Sequence, residues 1–477
     1  MALIPVKWWT KEVYNFHISQ DRFTKQPWSN GVILLGCVVL AMLLANLPFT
    51  KDAYHNFLNT SITHHIVSPD GSVNWVFPKD MTIEKFINDI LMVIFFFTVG
   101  LEIKREIKCG ELSSPKKALL PIIAAFGGVI APALIFTLIN KGTVSASGWG
   151  IPTATDIAFA VGILSILGDK VPVSLKVFLT ALAIADDLIA ILVVALFYGG
   201  KINLLLLGIA ILVIAFVALE KTLGEKRAIF YIIPAIVVWA LFYYSGIHAT
   251  MSGVVIAFLI PMEPRYNMAK YHRRDRINWE GLLESEKIST KEEFPNGPQR
   301  HYLRHISNLA RKAIPLSYRM EHALNPWVNF FIMPIFALAN AGVEIADPSY
   351  FNIFHVDAQL GSPGLGIFLG LLLGKPIGIT LASFLAIKLK VGQMPDKASW
   401  AMLFAVACLG GIGFTMSIFV DTLSFGGSLA NPIDPDITQH LRDAGKIAVL
   451  LGSLCSGLLG SLLITLVHKF EKKKAVA

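Results

Sequence analysis

Apolar residues along this chain do not alternate with polar ones; they run in blocks long enough to cross roughly 30 Å of hydrocarbon. The blocks lie at 29–48, 83–103, 117–139, 149–167, 172–198, 202–219, 228–244, 246–261, 322–343, 364–388, 399–424 and 444–468. This pattern predicts an all-α polytopic membrane protein of about twelve helices. The first block has no short apolar region followed by a small-residue cleavage site, and an arm with Trp8, Trp9 and Trp28 precedes it. It therefore reads as a retained span, with 1–28 an N-terminal arm.

Two polar stretches interrupt the series. Within 49–80, β-forming residues alternate around a Pro69-Asp70-Gly71 turn signal, which predicts a small β-hairpin. The segment 262–320 mixes Arg273, Arg274 and Arg276 with Glu280, Glu284 and Glu286 and has few apolar residues. Partial disorder is expected there, with a surface helix as the alternative and a solvated linker as its role. The domain reading is thus 29–261 for the first eight spans, 262–320 for the charged loop, 321–468 for the last four, and 469–477 for a basic tail.

Composition agrees with lipid as the main solvent: 54% of residues are hydrophobic, 16% are charged, and mean hydropathy is +0.61. A net charge of +8 could suggest nucleic acid, but Lys and Arg cluster in alternate loops. One side collects Lys7 to Lys25, Lys104 to Lys117, Lys221 to Arg227, Lys388 to Lys397 and Lys469 to Lys474, while the loop with Glu344, Asp347 and Asp357 has neither Lys nor Arg. By the positive-inside rule the basic side is cytoplasmic, and an even span count puts both termini there, with 49–80 outside the cell. No nucleic-acid partner is expected. Cys37, Cys109, Cys408 and Cys455 form no CxxC pair, so neither a disulfide framework nor a zinc site is indicated.

Charge inside the spans carries the chemistry, because each such residue costs about 2.5–3.5 kcal/mol to insert. In the fourth span, GWGIPTATDIAFAVG places Asp156 after Pro152, Thr153 and Thr155, which disfavour a continuous helix and offer oxygen ligands. In the fifth, Asp186 and Asp187 are adjacent and point about 100° apart on a helix, so two roles are expected. In the tenth, Lys375 sits between Gly374 and Pro376 and needs a carboxylate or dipole partner. In the eleventh, Gly410, Gly411 and Gly413 predict a second interruption. Paired interruptions in corresponding spans point to an inverted-topology repeat, spans three to five mirroring ten to twelve, with a site at the midplane.

The motifs TATDIAFA, ALAIADDL, SGIHAT, GKPIGI and GIGFTMSIF, in this order across nearly the whole chain, resemble those of the NhaA sodium/proton antiporters. The resemblance implies a bacterial inner-membrane exporter of Na⁺, and of Li⁺, driven by electrogenic H⁺ import, and not an enzyme. Asp187 would be the principal cation ligand and proton carrier, and Asp186 its essential neighbour, able to pair with Lys375. Lys375 compensates charge or itself carries a proton. Thr155 and Asp156 would sit at the crossing of the two broken helices. The electrostatics agree: Asp156 can offset two half-helix N-termini and Lys375 the facing C-terminal carbonyls. Na⁺ and H⁺ are cargo competing for the same carboxylates, and no resident cofactor or metal is expected.

Further assignments follow from the same resemblance. Glu102, Arg105, Glu106, Glu321 and His322 map to a pH-responsive region, although Asn325 stands where the family often has another His; snorkelling helix-end charge is the alternative reading. His248 is a further pH-sensing candidate, for which packing or hydrogen bonding between close helices outweighs metal coordination. Asp89 is assigned a structural role. The 49–80 segment would mediate a homodimer, alongside membrane lipids as partners. A sodium-coupled solute symporter, an intramembrane enzyme and a channel are the rival readings. The first lacks a reason for the paired aspartates with Lys375, the second lacks a GxGD, DDxxD or nucleophile-base pattern, and the third does not need broken helices in internal halves.

Overall fold

The computed structural model describes residues 28–62, 64–67, 73–77, 81–200, 202–266, 268–288, 296–345, 360–425 and 435–476. The arm 1–27, the turn Pro69-Asp70-Gly71, and Asp347 and Asp357 lie outside the described residues. In chain order the helices are α1 (Ser29–Asn46), α2 (Lys51–Asn59), α3 (Ile83–Cys109), α4 (Pro115–Ile139), α5 (Ile157–Leu167) and α6 (Val173–Phe197). There follow α7 (Leu204–Thr222), α8 (Ile229–Ser245), α9 (Met251–Leu259), α10 (Met268–Ile288) and α11 (Gly297–Ala313). The last are α12 (Leu316–Asn340), α13 (Pro363–Lys388), α14 (Trp400–Leu409), α15 (Phe414–Ser424) and α16 (Pro435–Val476).

Among the described residues, eight helices are long and apolar enough to cross a membrane, and two bent pairs bring the number to ten. One pair joins the 3₁₀ segment Val144–Thr153 to α5 and its 3₁₀ extension at 40°, and the other joins α14 to α15 at 53°. Of the predicted seventh and eighth spans, the seventh stands at the lower limit of a crossing and the eighth falls below it. The helix α8 has 17 residues and ends at Gly246, whose φ of 88° is left-handed; α9 has nine, about 13 Å of helix. Against the expected count of about twelve, the described residues hold eight helices of crossing length, or ten with each bent pair taken as one span.

Between α2 and α3, β1 (His64–Val67) and β2 (Val73–Phe77) pair antiparallel, His64 opposite Phe77. In the charged loop, the described residues form α10 and α11, the surface-helix alternative to partial disorder. Asn296 explains the start of α11: its side chain accepts from the Gln299 N–H, and the Gln299 side chain accepts from the Asn296 N–H, a reciprocal cap.

The described helices separate into two compact units, one from Met1–Met92, Glu106–Lys201 and Asn329–Ala477, the other from Val93–Arg105 and Ile202–Val328. In the second, Leu101, Val217, Tyr231, Val238, Ile256 and Leu316 form the core. There Lys104 Nζ donates to the carbonyls of Phe258 (2.7 Å) and Ile260, so this lysine closes the C-terminus of α9. The outward faces of α7 are apolar, with Leu204 and Leu212 more than two-thirds exposed, as a lipid-facing helix requires.

In the first unit, α4 and α13 run backbone to backbone. A Cβ at Gly378 would sit 2.1 Å from the Gly127 carbonyl oxygen, and one at Gly127 would sit 2.3 Å from that of Gly378. Small residues permit this approach where lipid offers no hydrophobic drive between helices. The core around it comprises Leu120, Phe178, Leu182, Ile379, Val406 and Leu409. Gly378→Ala is expected to lower stability by about 1–3 kcal/mol, as overpacking does. Gly36→Ala, whose Cβ would meet nothing within 4 Å, should leave it unchanged. Thermal unfolding of the detergent-purified protein checks this, and equal midpoints for both variants would refute the close-approach account.

Candidate functional site

The two helix breaks meet inside the first unit. At the first, residues 154–156 leave the helical conformation after Pro152, which is buried; at the second, Gly410–Gly413 separate α14 from α15. A break in hydrocarbon exposes backbone groups that water cannot satisfy. Here each break satisfies the other: the Asp156 N–H donates to the Ile412 carbonyl at 2.6 Å.

Asp156 is 3% exposed and caps both half-helices. One carboxylate oxygen accepts from the Phe159 N–H at 3.2 Å, in the first turn of α5. The other accepts from the Thr415 N–H at 3.1 Å, in the first turn of α15, and from the Thr415 hydroxyl. A single carboxylate therefore serves two helix N-termini, as the sequence led us to expect.

Thr155, one residue earlier, faces the opposite ends. Its hydroxyl lies 3.0 Å from the Gly410 carbonyl oxygen and 2.5 Å from Asp186 Oδ2, and its oxygen accepts from Lys375 Nζ at 2.7 Å. Having one proton, the hydroxyl can donate to only one of these two acceptors at a time. Lys375 also forms an ion pair with Asp186, and both side chains are fully buried. Thr155 thus links the Lys375 ammonium to the C-terminal carbonyl of Gly410.

Lys375 is placed by an irregular helix. The π turn Gly370–Gly374 ends immediately before it, and a Cβ at Gly374 would lie 2.8 Å from the Pro132 backbone on α4. Such π turns recur at functional positions because they re-aim the next side chain. Asp187 is 3% exposed on α6, adjacent to Asp186 and turned from it by one helical step. The structure thus brings Thr155, Asp186 and Lys375 into one hydrogen-bonded group, with Asp156 one residue from Thr155 and Asp187 next to Asp186.

Of the pH-responsive candidates, three converge in the second unit: Arg105 pairs with the buried Glu321 at 2.7 Å and lies 3.8 Å from Glu102. His322 is exposed and stacks on Tyr318 at 4.0 Å between ring centroids. Glu106 accepts from the Glu111 N–H at 3.2 Å. His248 supplies a carbonyl to the turn that opens α9, and Asp89 lies half-buried in the π turn Ile87–Leu91.

The sequence reading missed Thr415, Ser417 and Asp421, all fully or almost fully buried on α15. The signal for Asp421 was available, since it is a charged residue inside a predicted span. For Thr415 there was none, because its role appears only when the two breaks meet.

Apolar helices long enough to cross a membrane, with two bent pairs among them and carboxylates and a lysine buried between them, define a polytopic membrane protein with a buried charge cluster. The family model described as Na+/H+ antiporter 1 matches residues 21–464. The Na(+)/H(+) antiporter NhaA of Oleidesulfovibrio alaskensis is 41% identical over 455 residues, 95% of each chain. That of Acidithiobacillus ferrooxidans is 40% identical over 451 residues, covering 93% of this chain and 96% of the relative. That of Escherichia coli is 37% identical over 440 residues, 92% and 96% respectively. The chain belongs to the NhaA Na⁺/H⁺ antiporter family, whose members are transporters.

Removing Lys375 would strand Asp186 in the interior, and breaking a buried pair by one partner costs about 3–5 kcal/mol. Lys375→Met is therefore expected to lower the thermal midpoint clearly, and Lys375→Met with Asp186→Asn to recover most of the loss. A double variant no more stable than the single one would show that the pair is not what holds this region.

Proposed function

We propose that the chain exports Na⁺, and Li⁺, in exchange for H⁺ entering the cell, with both competing for Asp187 and Asp186. The observation that carries this reading is the fully buried group of Thr155, Asp186 and Lys375, one residue from Asp156 and one from Asp187. Burial penalises a bare carboxylate, so each is stable either protonated or with a cation bound, and loading with one ion expels the other. Asp187 is the principal ligand, Asp186 its neighbour held by Lys375, and Asp156 with Thr155 joins the two broken helices around the site. Inverted repeats of about twelve spans supply alternating access.

Exchange is electrogenic, more than one H⁺ returning per Na⁺, so membrane voltage contributes about 2.3 kcal/mol per net charge per 100 mV. The Glu102–Arg105–Glu321 group, with Glu106, His322 and His248, adjusts activity to pH. The protein lies in the bacterial inner membrane with both termini cytoplasmic, following the distribution of Lys and Arg. It forms a homodimer through 49–80, where a strand pair offers edges for pairing.

The test is proton release from everted vesicles, followed by a pH dye from pH 6.5 to 9. NaCl and LiCl should dissipate the gradient with the wild type, KCl should not, and Asp187→Asn should reduce the response to background. No response to Na⁺ or Li⁺ at any pH would make solute symport the leading alternative. A response independent of membrane voltage would overturn the electrogenic part alone.

A further inference from the structure

A second buried charge group lies on α15 beyond the crossing. Gly413, Ser417 and Asp421 recur every four residues and so share one face of the helix. Ser417 and Asp421 are both fully buried. The Ser417 hydroxyl has no hydrogen-bond partner among the described residues, and neither oxygen of Asp421 accepts a hydrogen bond from them. Buried carboxylates in folded proteins are almost always hydrogen-bonded, so one with two unfilled oxygens marks a place that takes up something else.

The surroundings indicate what that is. From α16 come Arg442, Asp443 and Lys446, whose charges act on Asp421. Arg442 Nη2 donates to the Thr422 carbonyl at 3.3 Å, and Asp443 accepts from Gln439 at 3.1 Å. Between them Gly445 presents bare backbone, and a Cβ there would lie 1.9 Å from Asp421 Oδ1. Tyr198, at the end of α6, donates to the Ser147 carbonyl at 2.9 Å and is the other titratable group acting here. The segments Val144–Thr153 and Met333–Asn340, which also pack on α15, carry no charged residue. Beyond Gly445 the same residues of α16 open to a cavity of about 430 Å³, lined by Arg442, Asp443 and Lys446 with Tyr54, Glu84 and Glu344. In the other direction, Thr415, which holds Asp156, is six residues and about 9 Å of helix away.

We propose that Asp421 is a second proton-binding carboxylate, exchanging protons with water in this cavity and standing between the cavity and the Asp156 crossing. A hydronium ion gives up one proton, an O–H bond forms on Asp421, and water leaves; release is the reverse. A proton suits the place better than Na⁺, because a proton needs no shell of oxygen ligands. The Ser417 hydroxyl, one turn towards Asp156, can accept and donate in the same chain of transfers. The use of this proton in transport rests on the exchange reading, whereas its binding does not.

The test counts protons taken up by purified protein after a pH jump without Na⁺, alongside the carboxyl C=O stretch in difference infrared spectra. Asp421→Asn should take up one proton fewer per chain and lose a C=O band, and Asp421→Glu should restore both. Asp187→Asn should keep the Asp421 band. In vesicles, Asp421→Asn should slow turnover and change its pH profile while the apparent KM for Na⁺ stays as in wild type. A folded Asp421→Asn protein with wild-type proton uptake would overturn the proposal. Should Asp421→Asn not fold, Lys446→Gln decides: the pH at which the proton is taken up must move, and an unchanged pH overturns the assignment. If wild-type vesicles show no Na⁺-driven proton release but the Asp421-dependent uptake persists, exchange fails and proton binding stands.

Discussion

A helix that stops inside hydrocarbon leaves N–H and C=O groups that no water can reach, and much of the site follows from how this chain satisfies them. The answer is reciprocal. Asp156 takes N–H groups from the first turns of α5 and α15, its own N–H goes to Ile412, and Thr155 reaches the Gly410 carbonyl. Those four contacts fix residues 155 and 156 in place. The position of Thr155 then determines what Lys375 can do, since the same hydroxyl oxygen accepts from its ammonium.

Precision of this kind needs stiff surroundings, which come from the backbone approach of α4 and α13. Gly127 against Gly378, and Gly374 against Pro132, bring the helix carrying Lys375 against α4, and larger residues would push it away. The π turn before Lys375 is tolerated at that interface because neighbouring helices cover it. Structural glycines and site residues are therefore one design: moving α13 outward would part Lys375 from Asp186.

Much of this was legible in the sequence, for an identifiable reason. A charged or glycine-rich interruption stands out against an apolar block, so Asp156, Asp186, Asp187, Lys375 and the Gly410–Gly413 break could be found without a structure. What depends on contacts between distant residues could not be found that way. Thr415 looks like any small polar residue in a span until it meets Asp156 from 259 positions away. The short α9 was hidden because apolar residues continue past its ends, while Gly246 and the turn before Met251 shorten the helix. Composition also misled in the charged loop, where Asn296 and Gln299 start a helix that a count of charges cannot reveal.

The charge balance explains why such a site would exchange ions. Asp156, Asp186 and Asp187 are three carboxylates, and among the described residues Lys375 is the cationic side chain hydrogen-bonded in their midst. With all four ionised, three negative charges against one positive leave two negative charges among buried side chains. The paired N-termini of α5 and α15 offset part of that at Asp156, as helix dipoles do within the first turn. The Lys375–Asp186 pair offsets another part. Asp187, almost fully buried beside Asp186, is the third carboxylate in this balance. On the exchange reading, an incoming H⁺ or Na⁺ supplies the positive charge that this group of carboxylates lacks.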